Sequence, residues 1–416
     1  MRVLHTADWH LGQRFHTQQR VEEQAMALDW LLDTIRNSEI DLLLVAGDIF
    51  DTGNPPNQAK KQYYRFLHAL MDTSCAHVVI TGGNHDSPSM LDAPQALLRQ
   101  LDIHVLGSVP EDPAQQILPL YRTDGSLQAV VAAVPFLRDR DLRSAMPGLH
   151  YADQTDDIQQ AIKAHYERLA ELVGPYLDAG VPILTTGHLY ARGATASELQ
   201  ANIYLGDREN LSAADFPDVF DYVALGHLHR AQPVNNMRHI RYSGSLIPLS
   251  FSEIEDSKSV TLIDFSNFPA QPDISLLPVP TFRKLRTVAG TLEEVTQSLK
   301  DLAKDHESEL HDWVDVVVTP EKVTSDLQST LYGLTADLPL ELLKIRLNYR
   351  EMPLADIEAP EVQLDELTPL EVFEKKCTSV ERDPADVEAL KMTFLELLQW
   401  MEEQHEEARN TKNTPA

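Results

Sequence analysis

The sequence is poor in cysteine and contains no long apolar run. Its 416 residues include only Cys75 and Cys377, which excludes a disulfide framework and any cysteine-rich zinc motif. No apolar run approaches the roughly 20 residues that a membrane-spanning helix needs. The first residues lack the charged and apolar regions of a signal peptide. We therefore expect a cytoplasmic protein without a membrane partner.

Basic residues are also scarce. The chain has 35 lysines and arginines against 64 acidic residues, a net charge of −29. This balance argues against a broad, non-specific nucleic-acid surface, which normally needs a basic face. Local basic groups at residues 60–61, 138–140 and 283–286 are candidate DNA contacts or ordinary solvated charges. Net charge alone therefore neither establishes nor excludes DNA as the substrate.

Two common catalytic and binding motifs are missing. No Gly-x-x-x-x-Gly-Lys-Ser/Thr loop is present, so the chain does not bind ATP in the P-loop manner. No Gly-x-Ser-x-Gly elbow is present either, which weakens a serine hydrolase hypothesis. Other side chains must carry the chemistry.

The length exceeds that of a single core, so we expect two or three domains. Over residues 1–270, short apolar runs alternate with helical stretches at 21–36, 59–71 and 156–176, which predicts an α/β domain with buried strands. Residues 281–350 predict a small β-α-β-α-β unit. Residues 351–367 are acidic and contain two prolines, as a linker would.

Residues 368–408 are predicted to form two helices. The first begins with a capping box at Thr368-Pro369-Leu370-Glu371. The second carries an apolar stripe at steps of three and four, formed by Val387, Leu390, Phe394, Leu397 and Met401. Such a stripe is typical of a coiled-coil-like contact. It either folds back onto its own domain or binds a partner, and the preceding linker favours a partner.

Five strand-length apolar runs each end in side chains that can hold a metal. These side chains are Asp8 and His10, Asp48, Asn84, His188, and His227 and His229. Because functional groups collect beyond the carboxyl ends of buried strands, we expect all seven in one crevice, enough for two ions. An isolated Asp-x-His or His-x-His motif is weak evidence for a metal site. The inference rests on all five elements occurring in order, each at the end of a predicted strand.

The spacing suggests how these ligands act. Positions i and i+2 of an extended segment face together, so Asp8 and His10 can chelate one ion, and His227 and His229 repeat the pattern. Asp48 has two carboxylate oxygens and is suited to bridge two ions. Imidazole, carboxylate and amide ligands suit manganese, iron or zinc better than magnesium.

Two ions at about 3.5–4 Å separation form a clamp for displacement at phosphorus. His85 is then expected to protonate or stabilise the leaving alkoxide. Asp86 is expected to accept a hydrogen bond from that imidazole and to orient it. Asp51 is a weaker candidate for such support.

The ordered ligand set resembles the calcineurin-like metallophosphoesterase superfamily. Residues 5–12 and 47–56 are similar to those of the SbcD family, the nuclease subunits of bacterial SbcC–SbcD complexes. Phosphoprotein phosphatases of the superfamily typically have Asp-Arg-Gly where this chain has Asp51-Thr52-Gly53, which counts against that branch.

The resemblance implies a layered α/β sandwich at residues 1–270, a small α+β capping domain at 281–350 and C-terminal helices at 368–408. It implies a manganese-dependent nuclease for DNA ends and hairpins, with 3′→5′ double-strand exonuclease and single-strand endonuclease activity, in DNA end processing, replication and recombination. One ion would be held by Asp8, His10, Asp48 and His229, and the other by Asp48, Asn84, His188 and His227, with His85 as the catalytic histidine.

The resemblance also implies two protein partners. A second copy of the chain would pack through helices near residues 59–71 and 87–101, and the C-terminal helices would bind the coiled coil of an SbcC-type ATPase. Two other functions stay open: a phosphodiesterase for small nucleotides or other phosphoesters, and a scaffold protein without catalysis.

Overall fold

The computed structural model describes residues 1–138, 140–142, 154–192, 194, 211–319, 327–348 and 394. The chain separates into two units, Met1–Arg350 and Glu351–Ala416. The predicted linker at 351–367 and the predicted helices at 368–408 therefore lie outside the described residues, apart from Phe394.

The described strands and helices are numbered in chain order. The strands are β1 (Arg2–Thr6), β2 (Arg14–Phe15), β3 (Gln18–Gln19), β4 (Leu42–Ala46), β5 (His77–Thr81), β6 (Ile103–Leu106), β7 (Ile117–Tyr121), β8 (Leu127–Ala132), β9 (Ile183–His188), β10 (Ala191–Arg192), β11 (Leu211–Ser212), β12 (Tyr222–Gly226), β13 (Gln232–Val234), β14 (Met237–Tyr242), β15 (Ser259–Asp264), β16 (Asp273–Pro278), β17 (Leu285–Gly290), β18 (Asp312–Val318) and β19 (Leu340–Leu347). The α-helices are α1 (Val21–Asn37), α2 (Asn57–Leu70), α3 (Pro88–Asp92), α4 (Gln95–Leu98), α5 (Gln154–Leu172), α6 (Leu292–Lys304) and α7 (Leu327–Thr335).

Two six-stranded sheets form the larger part of the first unit. The first has the order β16-β15-β1-β4-β5-β6, with β1, β4, β5 and β6 parallel. The second has the order β13-β14-β12-β9-β8-β7, with β14, β12, β9 and β8 parallel. Strands such as β4, Leu-Leu-Leu-Val-Ala, are apolar throughout because both faces of a parallel sheet are buried.

Apolar side chains fill three layers between helices and sheets. Leu31 of α1 and Leu43 of β4 belong to one core cluster, on the outer face of the first sheet. Leu44 points to the opposite face, where it shares a second cluster with Ala224 of the second sheet. Helix α5 packs against the other face of that sheet. The order is helix, sheet, sheet, helix, and the predicted layered α/β sandwich is confirmed.

Three of the predicted helices match α1, α2 and α5 to within a few residues. The predicted helical stretch at 87–101 is instead divided into α3 and α4, with Pro94 between them. Proline lacks a backbone N–H and disfavours the helical conformation of the residue before it, so a continuous helix ends there. No helix in the described ranges is long and apolar enough to cross a membrane.

A small parallel sheet, β17-β18-β19, with α6 and α7 completes the first unit. It has the predicted β-α-β-α-β order and its own apolar cluster. A second cluster joins it to the part of the unit that contains the larger sheets, where Phe15 of the β2-β3 pair stacks on Trp313 with ring centroids 5.4 Å apart. The Arg283 guanidinium lies over the same indole, 4.2 Å from the ring centroid.

Candidate metal centre

The seven predicted ligands lie where the carboxyl ends of both sheets meet. Asp8 and His10 follow β1, Asp48 follows β4 and Asn84 follows β5, all in the first sheet. His188 is the last residue of β9, and His227 and His229 follow β12, both in the second sheet. The crevice is therefore built by two facing sheets.

The side chains divide into groups whose potential ligand atoms lie within 4.8 Å of one another. One group contains Asp8, His10 and His229, and another contains Asp48, His188 and His227. The Asn84 Oδ1 joins the second group, at 2.9 Å from Nε2 of His188 and 3.2 Å from Nδ1 of His227.

Asp48 is a member of the second group and also faces the first. Its Oδ2 is 3.5 Å from Nε2 of His10 and 3.3 Å from Nε2 of His188. Its Oδ1 accepts a hydrogen bond of 2.9 Å from the backbone N–H of His85. A single carboxylate thus faces one histidine of each group, which is the geometry that a bridging role requires.

Three of the histidines are held at Nδ1, which directs Nε2 as the nitrogen available to an ion. The acceptors are Oδ1 of Asp51 for His10 (3.1 Å), the carbonyl oxygen of Ala46 for His188 (3.0 Å) and Oε1 of Glu253 for His229 (3.1 Å). Metal-ligating histidines commonly have such a partner. Among the described residues, Nε2 of His10 is buried without a hydrogen-bond partner. This donor set fits divalent metal ions.

The backbone does not arrange the ligands as the spacing predicted. Asp8, His10, Asp48 and His227 have positive φ angles of 53°, 44°, 50° and 101°. The Asp-x-His segment is therefore not in the extended conformation, and the prediction that it is extended is wrong. His227 and His229 belong to different groups rather than chelating one ion. Left-handed backbone is unfavourable for these residues and is concentrated at functional sites.

Glycine is required at two points where the loops touch these ligands. A Cβ at Gly47, where φ is +87°, would lie 2.1 Å from Nδ1 of His188. A Cβ at Gly83 would lie 2.1 Å from Oδ1 of Asp48. Any side chain would displace the ligand itself, so both loops approach as closely as backbone allows.

Carboxylates dominate the electrostatics of the centre. Burial acts to lower the pKa of His10, but the hydrogen bond to Asp51 and the charge of Asp48 raise it to about 8. Burial likewise opposes the rise for His188, whose pKa is raised to about 9, chiefly by Asp48. Burial favours the neutral form of Asp48, yet His188 and His10 hold its pKa well below the usual range. A centre that keeps Asp48 ionised and favours the protonated forms of His10 and His188 has a negative potential, and such a potential also attracts metal cations.

The predicted contact between Asp86 and His85 is not formed. His85 is exposed, and its Nδ1 donates to the carbonyl oxygen of Asp51 at 2.8 Å. The buried Asp86 carboxylate instead accepts three backbone N–H bonds, from Ile49 (3.1 Å), Phe50 (2.9 Å) and Gly83 (2.8 Å). Burial and the Asp48 charge raise the pKa of Asp86 to about 6. The prediction that Asp86 orients His85 is wrong: Asp86 joins the loops that follow β4 and β5.

Sequence comparison places the chain in a family. Residues 1–231 match the model for calcineurin-like phosphoesterases, and residues 281–381 match the model described as type 5 capsule protein repressor C-terminal domain. The chain is 37% identical to the SbcD subunit of nuclease SbcCD from Escherichia coli over 410 residues, which cover 98% of this chain and 100% of that protein. The chain belongs to the SbcD family.

A second relative supports the same membership. The SbcD subunit of nuclease SbcCD from Rhodobacter capsulatus is 33% identical over 384 residues, which cover 90% of this chain and 93% of that protein. As a calcineurin-like phosphoesterase of the SbcD family, the chain is a hydrolase of phosphoesters that uses divalent metal ions.

Two residues that support the metal centre could not be identified from sequence patterns. Glu253 holds the ring of His229, and it lies in a short turn without a recognisable motif. Arg138 donates through Nη2 to the carbonyl oxygens of Gly83 (3.4 Å) and Asp86 (2.9 Å). Its only sequence signal was membership of a basic group, and the structure uses it to hold the loop after β5.

Proposed function

We propose that the chain is the nuclease component of an SbcC–SbcD-type complex and acts in DNA end processing, replication and recombination. It would degrade double-stranded DNA in the 3′→5′ direction and cut single strands and hairpins endonucleolytically. The observation that carries the proposal is the position of Asp48, with Oδ2 at 3.5 Å and 3.3 Å from Nε2 of His10 and His188. A carboxylate between two ligand groups can hold two ions close together, which a two-metal clamp on a phosphodiester needs.

Each ion would have four protein ligands. Asp8, His10, Asp48 and His229 would hold one, and Asp48, Asn84, His188 and His227 the other. Both sets mix nitrogen and oxygen donors, which supports manganese over magnesium. When bound, a pair of divalent ions neutralises the phosphate oxygens and activates water as the nucleophile.

His85 would deliver the proton to the leaving group. Its side chain is exposed, so a substrate can reach it, and its ring lies 4.8 Å from that of His10. The hydrogen bond from Nδ1 to Asp51 leaves Nε2 as the nitrogen that carries a proton to the departing alkoxide. Asp86 would contribute only by holding the loop on which His85 lies.

One exposed apolar group and one sequence pattern support the proposed partners. Exposed apolar side chains lie on or beside α2 and α4: Tyr64 (40% exposed), Met71 (53%), Leu97 (69%) and Leu101 (40%). Such a group is suited to contact a second copy of the chain. For the ATPase, the support is the apolar stripe that the sequence places at residues 387–401.

A nuclease assay with defined DNA ends tests the proposal. Linear duplexes labelled at the 3′ or the 5′ end, and a hairpin, would be incubated with Mn²⁺, with Mg²⁺ or with a chelator. We expect Mn²⁺-dependent loss of the 3′ label and opening of the hairpin. Hydrolysis of dinucleotides with intact DNA would favour the small-nucleotide phosphodiesterase. Failure to hydrolyse any phosphodiester would favour the scaffold.

A further inference from the structure

A buried ion pair lies directly behind His229. The Lys258 Nζ is 2.6 Å from Oε2 of Glu253, and the two side chains are only 6% and 1% exposed. The same Oε2 accepts a hydrogen bond of 3.0 Å from the backbone N–H of Leu249. Neither charged residue belongs to the ligand groups, and burying such a pair is unfavourable unless further contacts compensate for it.

Both members of the pair contact His229. Oε1 of Glu253 accepts a hydrogen bond of 3.1 Å from Nδ1 of the His229 imidazole, and Lys258 donates one of 2.9 Å to the backbone carbonyl oxygen of His229. Lys258 also donates to the hydroxyl of Ser245 at 3.0 Å, and the Ser245 N–H bonds to that carbonyl oxygen at 3.2 Å. The ring and the backbone of one proposed ligand are therefore held together.

His229 needs such support more than the other two proposed ligands from the second sheet do. It lies three residues beyond the end of β12, whereas His188 is part of β9 and His227 directly follows β12. Its side chain is 17% exposed, against 4% for His10 and 0% for His188. Its ring therefore depends more on hydrogen bonds for its orientation.

We propose that Glu253 and Lys258 are positioning residues that set the affinity of one of the two ion sites through His229. The inference rests on the proposed division of the ligands between two ions. Glu253 keeps the proton on Nδ1, directs Nε2 into the centre and strengthens its electron donation. Lys258 compensates the buried carboxylate and fixes the loop that carries the ring.

Glu253→Gln is the informative substitution because it keeps the shape of the side chain. Oε2 of Glu253 accepts from Lys258 and the Leu249 N–H, while Oε1 accepts from His229 and, at 3.3 Å, from the Ser250 hydroxyl. A glutamine has one carbonyl oxygen, so its amide nitrogen must face either the imidazole N–H or the other donors. In the first orientation the imidazole N–H loses its acceptor, and in the second Lys258 and the Leu249 N–H lose theirs. Either loss weakens the contacts that fix His229.

Titration of the metal-free full chain with Mn²⁺ provides the test, with free Mn²⁺ followed by electron paramagnetic resonance. We expect two sites in the native protein. In Glu253→Gln, one site should keep its affinity and the other should bind about 10–100-fold more weakly. Raising Mn²⁺ should restore kcat, with a higher Mn²⁺ concentration needed for half-maximal activity.

Two further variants separate positioning from folding. Glu253→Gln combined with Lys258→Met removes both buried charges, so it should regain stability but keep the weakened site. Asp315→Asn is the matched control: Asp315 is also buried, 4% exposed, and pairs with Arg346 between β18 and β19 of the small sheet. It should lower the melting temperature without changing either Mn²⁺ affinity.

Three results would overturn the inference. These are native affinity at both sites in Glu253→Gln, native affinity at both sites in the double variant, and equal weakening of the two sites. Fewer than two Mn²⁺ ions bound by the native protein would contradict the ligand division itself. That result can be distinguished from a failure of the Glu253 and Lys258 inference, because it would be seen in the native protein before any substitution is made.

Discussion

The carbonyl oxygen of Asp51 accepts a hydrogen bond of 2.8 Å from His85, while its carboxylate accepts one of 3.1 Å from His10. One residue thus orients both the proposed acid and a proposed ligand, through different atoms. The two roles separate by mutation, since Asp51→Ala keeps the backbone carbonyl. We expect this variant to weaken Mn²⁺ binding about 10–100-fold at one site. At saturating Mn²⁺, measured by DNA cleavage, it should retain most of the native kcat.

His85→Ala should lose cleavage while keeping both ions. Removing a general acid costs about 10²–10⁴-fold in rate, and His85 is in neither of the two proposed ligand sets. Single-turnover cleavage of duplex DNA measures the rate, and Mn²⁺ titration measures the sites. The exposed His311 offers a control, since His311→Ala should change neither. A His85→Ala variant with native rate would remove the assigned role.

Asp48 and Asn84 should differ in how many sites they affect. Asp48 faces both ligand groups, so Asp48→Asn should weaken both Mn²⁺ sites. Asn84 faces His188 and His227, so Asn84→Ala should weaken one. Calorimetric titration counts the sites in each variant. Equal effects of the two substitutions would contradict the bridging assignment.

Metal affinity should rise with pH. In the metal-free protein the pKa values of His10 and His188 are raised to about 8 and about 9, so both rings hold a proton at neutral pH. Mn²⁺ must displace these protons, and its affinity should fall as the pH falls below about 9. Calorimetry in buffers of different ionisation enthalpy should detect at least one proton released near pH 7. Zero release there would contradict the prediction.

The same pKa values give the stability of the metal-free protein a definite pH dependence. Both are raised above the ordinary value of 6.5. The two histidines therefore contribute fully to the free energy of unfolding below about pH 6.5, and this contribution is lost as the pH rises through 8 to 9. Chemical denaturation with a chelator present should show this loss, and saturating Mn²⁺ should remove it.

Trp313 should be important for the stability of the junction between the small sheet and the larger ones. It is 1% exposed, stacks on Phe15 and donates through Nε1 to Glu341 at 2.7 Å. Trp313→Ala should cost about 3–5 kcal/mol in the free energy of unfolding, because it leaves a large cavity. Urea denaturation measures the loss. Tyr332→Ala, at a side chain 52% exposed, should change stability by no more than about 0.5 kcal/mol.

Removal of the residues after Val380 should abolish association with an SbcC-type ATPase. The prediction follows from the apolar stripe in the sequence at residues 387–401. The isolated chain should keep its Mn²⁺-dependent cleavage, since no proposed ligand lies in that segment. Co-purification of the two proteins is the measurement, and unchanged association of the truncated chain would refute the assignment.

The sequence alone predicted the buried strands well, and the seven side chains that it singled out lie together in the structure. Parallel strands buried on both faces must be apolar along their length, so β1, β4, β5 and β12 are visible as uninterrupted runs. Polar residues directly beyond such runs are conspicuous, and these include all seven proposed ligands. Pattern alone could not show that two sheets supply them.

Only the tertiary structure decided how the centre is held together. Glu253 lies 24 positions from His229, in a turn whose residues carry no pattern, so their contact depends on the packing of distant loops. The Asp86 carboxylate does not contact the neighbouring His85, because it accepts hydrogen bonds from three backbone N–H groups in the loops that follow β4 and β5. The spacing of residues in the sequence shows which side chains can reach the metal centre. Buried hydrogen bonds between distant segments determine where each of those side chains points.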